Sequence, residues 1–129
     1  MFVFSLVCCV RMDQFMPHLL FFDGLGTAGF GALCLSTPRI LPVIGLPLTT
    51  PPLAVGLIGA GLLGWGALKT VAAFERPENQ RLVCKVNMLP AAAEFVTFAM
   101  HGPMWVTAST AGALGMYTAM AFVGAPKDD

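Results

Sequence analysis

Residues 53–74 read LAVGLIGAGLLGWGALKTVAAF, an apolar stretch whose one charged side chain is Lys69. Its length is close to the roughly 20 apolar residues that an α-helix needs to cross about 30 Å of hydrocarbon. Backbone amides in hydrocarbon have no water to bond, so a crossing segment must satisfy them internally, as a helix does. The stretch therefore predicts a transmembrane helix.

The composition of the whole chain agrees with a membrane location. Of 129 residues, 57% are hydrophobic and 11% are charged, and the mean hydropathy is +0.78. A soluble domain of this size would need a charged shell, because a small body has a large surface for its volume. The formal net charge is zero, so there is no electrostatic argument for a nucleic-acid partner.

Further apolar runs bring the predicted number of spans to four. The sequence therefore predicts an all-α integral membrane protein with four transmembrane helices in a single domain. The predicted spans cover residues 17–36, 53–74, 82–100 and 103–123. The helix breakers Gly102 and Pro103 predict a short turn, and so a tight antiparallel hairpin, between the last two. The apolar start of residues 1–16 is too short to cross alone, so we expect an interfacial N-terminal segment there. Residues 37–52 form a proline-rich outer loop.

Basic residues predict the orientation, because Lys and Arg are retained on the cytoplasmic, matrix or stromal side. With four spans, the N-terminus, the second loop and the C-terminus share one side of the membrane. That side would hold Arg11, Lys69, Arg76, Arg81, Lys85 and Lys127. Only Arg39 falls on the other side. We therefore expect both termini on the inner side, with Lys69 and Lys85 extending to the inner surface along their aliphatic stems.

The outer loop combines five prolines with many apolar side chains. The apolar residues are Ile40, Leu41, Val43, Ile44, Leu46 and Leu48. Exposed apolar patches usually have a covering surface of protein or lipid. We therefore expect other integral membrane subunits to contact residues 38–52, with membrane lipids around the remainder.

Small residues recur at every fourth position, a spacing that lets helices approach closely. The rows are Gly24, Ala28 and Ala32; Gly56, Ala60 and Gly64; and Ala111, Gly115 and Ala119. The pentapeptide GFGAL at residues 29–33 also recurs as GWGAL at residues 64–68. Inverted repeats of transporters cover whole bundles, whereas this match is short, so we interpret it as close helix packing. These faces are further candidate contacts for partner subunits.

The four cysteines form no CxxC pair, so no metal site is predicted. They are Cys8, Cys9, Cys34 and Cys84. The predicted topology puts Cys34 and Cys84 on opposite sides of the membrane. We expect these two to be free, buried thiols.

Intramembrane ionisable residues are candidates for a functional site, because burying them unpaired is costly. Asp23 lies about 6 residues into the first predicted span and Glu94 about 12 residues into the third, so we expect no direct pairing. Asn87, Glu94 and His101 are spaced by seven and share one helix face. This polar stripe is a possible intramembrane site.

Two interpretations of the stripe stay open. It carries protons, as acid and histidine chains do in pumps, or it is a packing face. In the second case Glu94 is protonated or bonded to a hydroxyl of the fourth helix. The candidate partners are Thr107, Ser109 and Thr110.

The two histidines are the candidate cofactor ligands. His18 begins the first span and His101 ends the third, so roughly 25 to 30 Å of membrane separates them. This separation disfavours a haem with two histidine ligands. Each histidine remains a candidate single axial ligand for a chlorophyll-type pigment, and a bound lipid is the alternative.

The sequence holds no nucleophile–histidine–acid set and no nucleotide-binding motif in context, so we expect no enzymatic activity. The first hypothesis is a non-catalytic accessory subunit of a larger membrane complex. Respiratory or photosynthetic electron transport in a mitochondrion or plastid is the favoured setting. The second is a small transporter or proton-conducting channel that uses Asn87, Glu94 and His101. The third is a pigment- or lipid-binding spacer subunit.

Overall fold

The computed structural model describes the backbone of residues 2–44, 47 and 49–122, and the side chains of residues 14–37, 39–43, 47 and 49–122. The regular structure of this part is entirely helical. Its α-helices are α1 (Phe2–Ser36), α2 (Pro52–Ala72), α3 (Pro77–His101) and α4 (Met104–Phe122), and a 3₁₀ helix covers Pro38–Ile44. The all-α prediction is confirmed.

Three helices in the described part are long and apolar enough to cross a membrane. These segments are Gln14–Ser36, Pro52–Ala72 and Pro77–His101. Large apolar side chains point outward from them, including Phe22, Leu57 and Leu89, each at least 67% exposed. This surface is compatible with a hydrocarbon environment. Crossing by α4 stays a prediction, as does the orientation of the termini.

Helix α1 is longer than the first predicted span. Its backbone continues without a break from Ser36 through Pro17 to Phe2. Residues 2–16 are therefore not a separate element of secondary structure. Their expected interfacial position stays a prediction, and the side chains of residues 1–13 lie outside the described part.

Helices α1 and α2 pack as a tight antiparallel hairpin, called hairpin 1. Glycines make the close approach possible, because a Cβ on Gly66 would lie 2.3 Å from the backbone N of Ala28 and 2.5 Å from the carbonyl O of Gly24. A Cβ on Gly31 would lie 2.7 Å from the carbonyl O of Gly59. Both contacts are between backbones, so no side-chain rotation could make room for a methyl group.

The repeated pentapeptide lies within this hairpin contact. Its third residue, Gly31 in one copy and Gly66 in the other, lies against the opposite helix. The first residues of the two copies, Gly29 and Gly64, have open space around them. The match therefore reflects two equivalent contact positions in an antiparallel pair.

The expected rows of small residues pack against another helix of this chain only in part, and contact of the remaining rows with partner subunits stays a prediction. Gly24 and Ala28 do lie at the contact, whereas Ala32 is exposed. In α2 the contacting glycines are Gly59 and Gly66, and the expected row of Gly56, Ala60 and Gly64 is exposed or half-exposed. The expected row of Ala111, Gly115 and Ala119 in α4 likewise lies outside the core. The contacting glycines of each helix are seven residues apart, not four. Because each helix carries small residues on several faces, the four-residue spacing did not identify the face that makes the contact.

Helices α3 and α4 form a second antiparallel hairpin, called hairpin 2. Gly102 and Pro103 make the predicted short turn between them. The Thr107 hydroxyl donates to the Phe98 carbonyl at 2.9 Å beside the turn. At the far end Arg81 Nη1 donates to the Met120 carbonyl at 3.3 Å.

The two hairpins meet through an apolar core at one end. Buried side chains from α1, α3 and α4 form it together with Ala72 and Ala73 at the C-terminal end of α2. The buried members are Met16, Leu20, Ala72, Ala73, Cys84, Tyr117, Met120 and Ala121. Contacts between the hairpins are sparse compared with those inside each hairpin, and a cleft separates them beyond this core.

Cys34 belongs to a second, smaller cluster at the other end of hairpin 1. Leu41 of the 3₁₀ helix is 1% exposed and packs there with Cys34 and Val55, and Ile40 packs against the cluster. The chain itself thus covers part of the apolar loop, while Val43 is 54% exposed. Contact between the loop and a partner subunit stays a prediction. Cys34 and Cys84 are free and buried, as expected.

Candidate functional site

Lys69 forms the centre of a buried polar group in hairpin 1. Although it lies in the last turn of α2, it is only 4% exposed. Its Nζ donates to Asp23 Oδ2 at 2.6 Å and to the Thr27 hydroxyl at 3.0 Å. The expectation that Lys69 extends to the inner surface is therefore wrong. An acid at the same level of α1 neutralises it, so it does not contribute to the surface charge that predicted the orientation.

Antiparallel packing explains this ion pair. The backbone contact of Gly24 with Gly66 puts the neighbouring turns of α1 and α2 side by side. Asp23 precedes Gly24 and Lys69 follows Gly66 by one turn, so their side chains meet. Thr27, one turn beyond Asp23, donates to the Asp23 carbonyl at 2.7 Å and accepts from Lys69.

Tyr117 connects this pair to hairpin 2. It lies in α4, is 1% exposed, and its hydroxyl donates to Asp23 Oδ2. Its ring centroid lies 5.8 Å from Lys69 Nζ, a distance at which an ammonium is attracted to an aromatic ring. One carboxylate oxygen thus accepts from two donors on different hairpins. We call Asp23, Lys69, Thr27 and Tyr117 the polar group.

A second polar contact links hairpin 1 to hairpin 2 by joining α2 to α3. Trp65 Nε1 donates to Asn87 Oδ1 at 2.5 Å. Asn87 is 4% exposed, so the amide that accepts this bond is buried. Asn87 is therefore a residue of the expected polar stripe that has a defined hydrogen-bond partner, Trp65.

The polar group forms part of the wall of a cavity of about 600 Å³ between the hairpins. All four helices contribute to the lining. The lining residues are Phe22, Asp23, Gly26, Thr27, Phe30, Leu62, Trp65, Lys69, Asn87, Ala91, Glu94, Trp105, Ser109, Ala113 and Tyr117. On α1 and α4, Phe22, Gly26, Trp105 and Ser109 are exposed. On α2 and α3 the lining residues other than Glu94 are buried or half-buried, so the cavity opens between α1 and α4.

Glu94 lies where this cavity adjoins a second one, of about 530 Å³. The second cavity is mainly apolar. Its lining residues are Phe30, Ile58, Leu62, Ala93, Glu94, Thr97, Phe98, Trp105, Val106 and Thr110. Four of these also line the first cavity: Phe30, Leu62, Glu94 and Trp105. The cleft is therefore polar at the Asp23 end and apolar at the other.

The expected hydroxyl partners of Glu94 bond elsewhere. Thr107 donates to the carbonyl of Phe98, and Ser109 and Thr110 donate to carbonyls of their own helix. Within the described side chains, the Glu94 carboxyl has no hydrogen bond. The expectation of a bond to the fourth helix is wrong, because each of these hydroxyls is used by a nearby backbone carbonyl.

Glu94 and Asp23 line one cavity although we expected them at different depths. The expectation of no direct pairing agrees with the contacts, since Asp23 is bonded to Lys69 and Tyr117. Asn87, Glu94 and His101 do share one side of α3 by spacing. No hydrogen bond within the described residues joins these three to one another, and His101 is exposed at the end of α3.

The histidines lie toward opposite ends of the bundle. Asp23 contacts Tyr117 near the end of α4, and Phe30, later in α1, shares a cavity with Trp105 near the start of α4. Helix α1 is therefore antiparallel to α4 and parallel to α3. His18 in the first half of α1 and His101 at the end of α3 are both exposed. Neither lines either cavity. In the described part, no three His, Cys, Asp or Glu side chains come together as a metal site would require.

The sequence reasoning identified Asp23, Asn87 and Glu94 but missed Lys69, Tyr117 and Trp65 as site residues. A signal for Lys69 was present, since it interrupts an apolar run that also holds close-packing glycines. No pattern distinguished Tyr117 from other aromatic residues. Its role appears only when hairpin 2 packs against hairpin 1.

The chain has no match in comparisons with known proteins: no family model, no curated sequence and no solved structure matches it. Its site is therefore interpreted from geometry. The geometry consists of a satisfied ion pair, one carboxyl without a partner among the described side chains, and two adjoining cavities.

Proposed function

We propose that this protein is a non-catalytic, multi-pass membrane protein that binds a small membrane-soluble molecule in the cleft between its two hairpins. One observation carries the proposal. The cleft joins a cavity of about 600 Å³, whose wall includes the partly buried Asp23–Lys69–Tyr117 group, to an apolar cavity of about 530 Å³.

The size and lining of the cleft support a ligand site. Small-molecule pockets usually measure about 300–1,000 Å³ and combine apolar walls with a few placed polar groups. The opening between α1 and α4 is flanked by outward-facing apolar residues such as Phe22 and Trp105. In a membrane this opening would face lipid, so a ligand would enter from the bilayer.

Conduction through the polar stripe has less support. A proton relay needs groups within hydrogen-bonding reach of one another or of bridging water. The Asn87 side chain is bonded to Trp65, and two helical turns separate each member of the stripe from the next. Ligand binding in the cleft is therefore better supported than proton conduction along the stripe.

The two tryptophans provide a direct assay. The chain has two Trp residues, and both Trp65 and Trp105 line the cleft. Purified full-length protein in mild detergent is titrated with brominated apolar compounds, which quench tryptophan on contact. Saturable quenching at low micromolar concentration is expected.

A matched pair of variants tests whether the cleft is the site. Ala113→Phe fills the cavity from α4, whereas Ala111→Phe adds the same ring to an exposed position of the same helix. We expect the first variant to abolish saturable quenching and the second to retain it. Equal quenching in both variants would contradict the proposed site.

The accessory-subunit hypothesis remains a second candidate. The outward rows at Ala60 and Gly64 in α2 and at Ala111 and Gly115 in α4 support it, because small residues on a lipid-facing surface let another helix approach. An energy-transducing organellar membrane remains the proposed setting. Migration with a large complex on a native gel of solubilised membranes is expected, and migration as a free monomer would argue against this candidate.

A further inference from the structure

We infer that the ligand of the cleft is a cationic amphiphile, a protonated amine on an apolar body, and that Glu94 is its counter-ion. This inference rests on the proposed binding function and adds the charge class of the ligand. It also assigns a role to the one acidic side chain of the cleft that the polar group does not use.

The charged side chains in the cavity wall favour a cationic ligand. Asp23 accepts from Lys69 and Tyr117, and Lys69 also donates to Thr27. Glu94 lines the same cavity with no hydrogen bond among the described side chains. The ionisable side chain of the lining that has no such partner is therefore Glu94. An unpaired acid at this depth is costly in a membrane, and a bound cation removes that cost.

The same contacts disfavour an anionic ligand. The basic group in the cavity wall, Lys69, already bonds to Asp23 at 2.6 Å and is 4% exposed. An anion would have to displace Asp23 from this pair and would then face two carboxylates. Breaking a buried ion pair leaves an uncompensated charge, so this exchange is unfavourable.

Aromatic rings around Glu94 provide a second argument for a cation. Phe30 and Trp105 line both cavities together with Glu94, and Trp65 lines the first. Ring faces attract ammonium groups, with tryptophan the strongest of the aromatic residues. A carboxylate with aromatic neighbours suits an amine head better than a hydroxyl or a carboxylate head.

The second cavity suits the apolar body. Its walls include Ile58, Leu62, Phe98 and Val106, and Glu94 is its one charged residue. An amine at Glu94 would therefore project a hydrocarbon body into apolar surroundings. Its burial would contribute to affinity in proportion to the apolar area covered.

The test compares ligands of one length and three head groups. Brominated alkyl amine, alkyl alcohol and alkyl carboxylate are titrated at neutral pH into the full-length protein in mild detergent, with quenching of Trp65 and Trp105 as the readout. We expect the amine to bind at least about tenfold more tightly than the alcohol and the carboxylate to bind most weakly. This comparison needs no variant.

Glu94→Gln then tests the residue. We expect it to weaken amine binding by about tenfold or more while leaving alcohol binding unchanged. Glu78→Gln is the matched control, because Glu78 lies in the first turn of the same helix, is exposed and lines neither cavity. It should bind all three compounds as the parent protein does.

The outcomes separate the two proposals. If the amine and the alcohol bind equally and Glu94→Gln changes neither, the counter-ion inference is overturned while the binding function stands. If none of the three compounds gives saturable quenching that Ala113→Phe abolishes, the binding function fails and the inference fails with it. If the carboxylate binds most tightly, the ligand is an anion and the inference is also overturned.

Discussion

Among the glycines of hairpin 1, Gly66 is the position where an added methyl group should lower the free energy of unfolding most. A Cβ there would lie 2.3 Å from the Ala28 backbone N, whereas ordinary contacts begin near 3.4 Å, so the helices must separate by about 1 Å. The nearest atoms belong to the backbone and cannot rotate away. Overpacking of this kind typically costs about 1–3 kcal/mol, and rigid neighbours favour the upper part of this range.

Gly64→Ala is the matched control for Gly66→Ala. It adds the same methyl group two residues earlier in the same helix, where open space surrounds the position. Alanine favours a helix over glycine by up to about 1 kcal/mol, so Gly64→Ala should be neutral or slightly stabilising. For Gly66→Ala this gain offsets only part of the steric cost, and we expect a net loss of about 1–2 kcal/mol.

The free energy of unfolding is measured for both variants and the parent protein. Far-UV circular dichroism during titration of micelle-bound protein with a denaturing detergent gives this quantity. If Gly66→Ala unfolds at the same detergent fraction as Gly64→Ala, the close backbone contact does not exist as described.

Three further predictions concern the polar contacts. Lys69→Met should lower the free energy of unfolding by about 3 kcal/mol because it leaves Asp23 without its cation, and the double variant with Asp23→Asn should recover part of this loss in the same titration. Tyr117→Phe removes a donor to a carboxylate and should cost about 1.5–3 kcal/mol; an unchanged midpoint would contradict the bond between hairpins. Trp65→Phe removes the bond to Asn87 at a cost of about 1 kcal/mol, and hydrogen exchange should rise in the middle of α3, whereas unchanged protection there would count against the bond.

The helices and their turns followed from composition and local signals. Apolar runs of near-membrane length predicted α2 and α3, and Gly102 with Pro103 predicted the short turn after α3. These features depend on the chemistry of neighbouring residues, which the sequence displays directly. The continuation of α1 through Pro17 was not predicted, because proline is read as a boundary unless neighbouring structure accommodates it.

The packed faces were less accessible to sequence reasoning. Helix α2 carries glycines on several sides, and spacing alone did not distinguish Gly59 and Gly66 from Gly56 and Gly64. The choice depends on the complementary surface of α1, which is a property of two helices together.

The burial of Lys69 likewise depends on two helices together. A lysine near the end of a span extends to the surface when nothing opposes it. Here Asp23 lies at the same level of the neighbouring helix and holds its Nζ at 2.6 Å. The two residues are 46 positions apart in the sequence, and only the antiparallel packing of α1 and α2 brings them to the same level.

If hairpin 1 crosses a membrane, the location of its ion pair bears on how the two helices are inserted. Alone, α1 would carry an uncompensated aspartate and α2 an uncompensated lysine. A charge at the centre of a crossing helix costs roughly 2.5–3.5 kcal/mol, and less toward the helix end where Lys69 lies. Paired across their glycine contact, the two helices present no net charge from these residues. Joint insertion of α1 and α2 would therefore be more favourable than insertion of either helix alone.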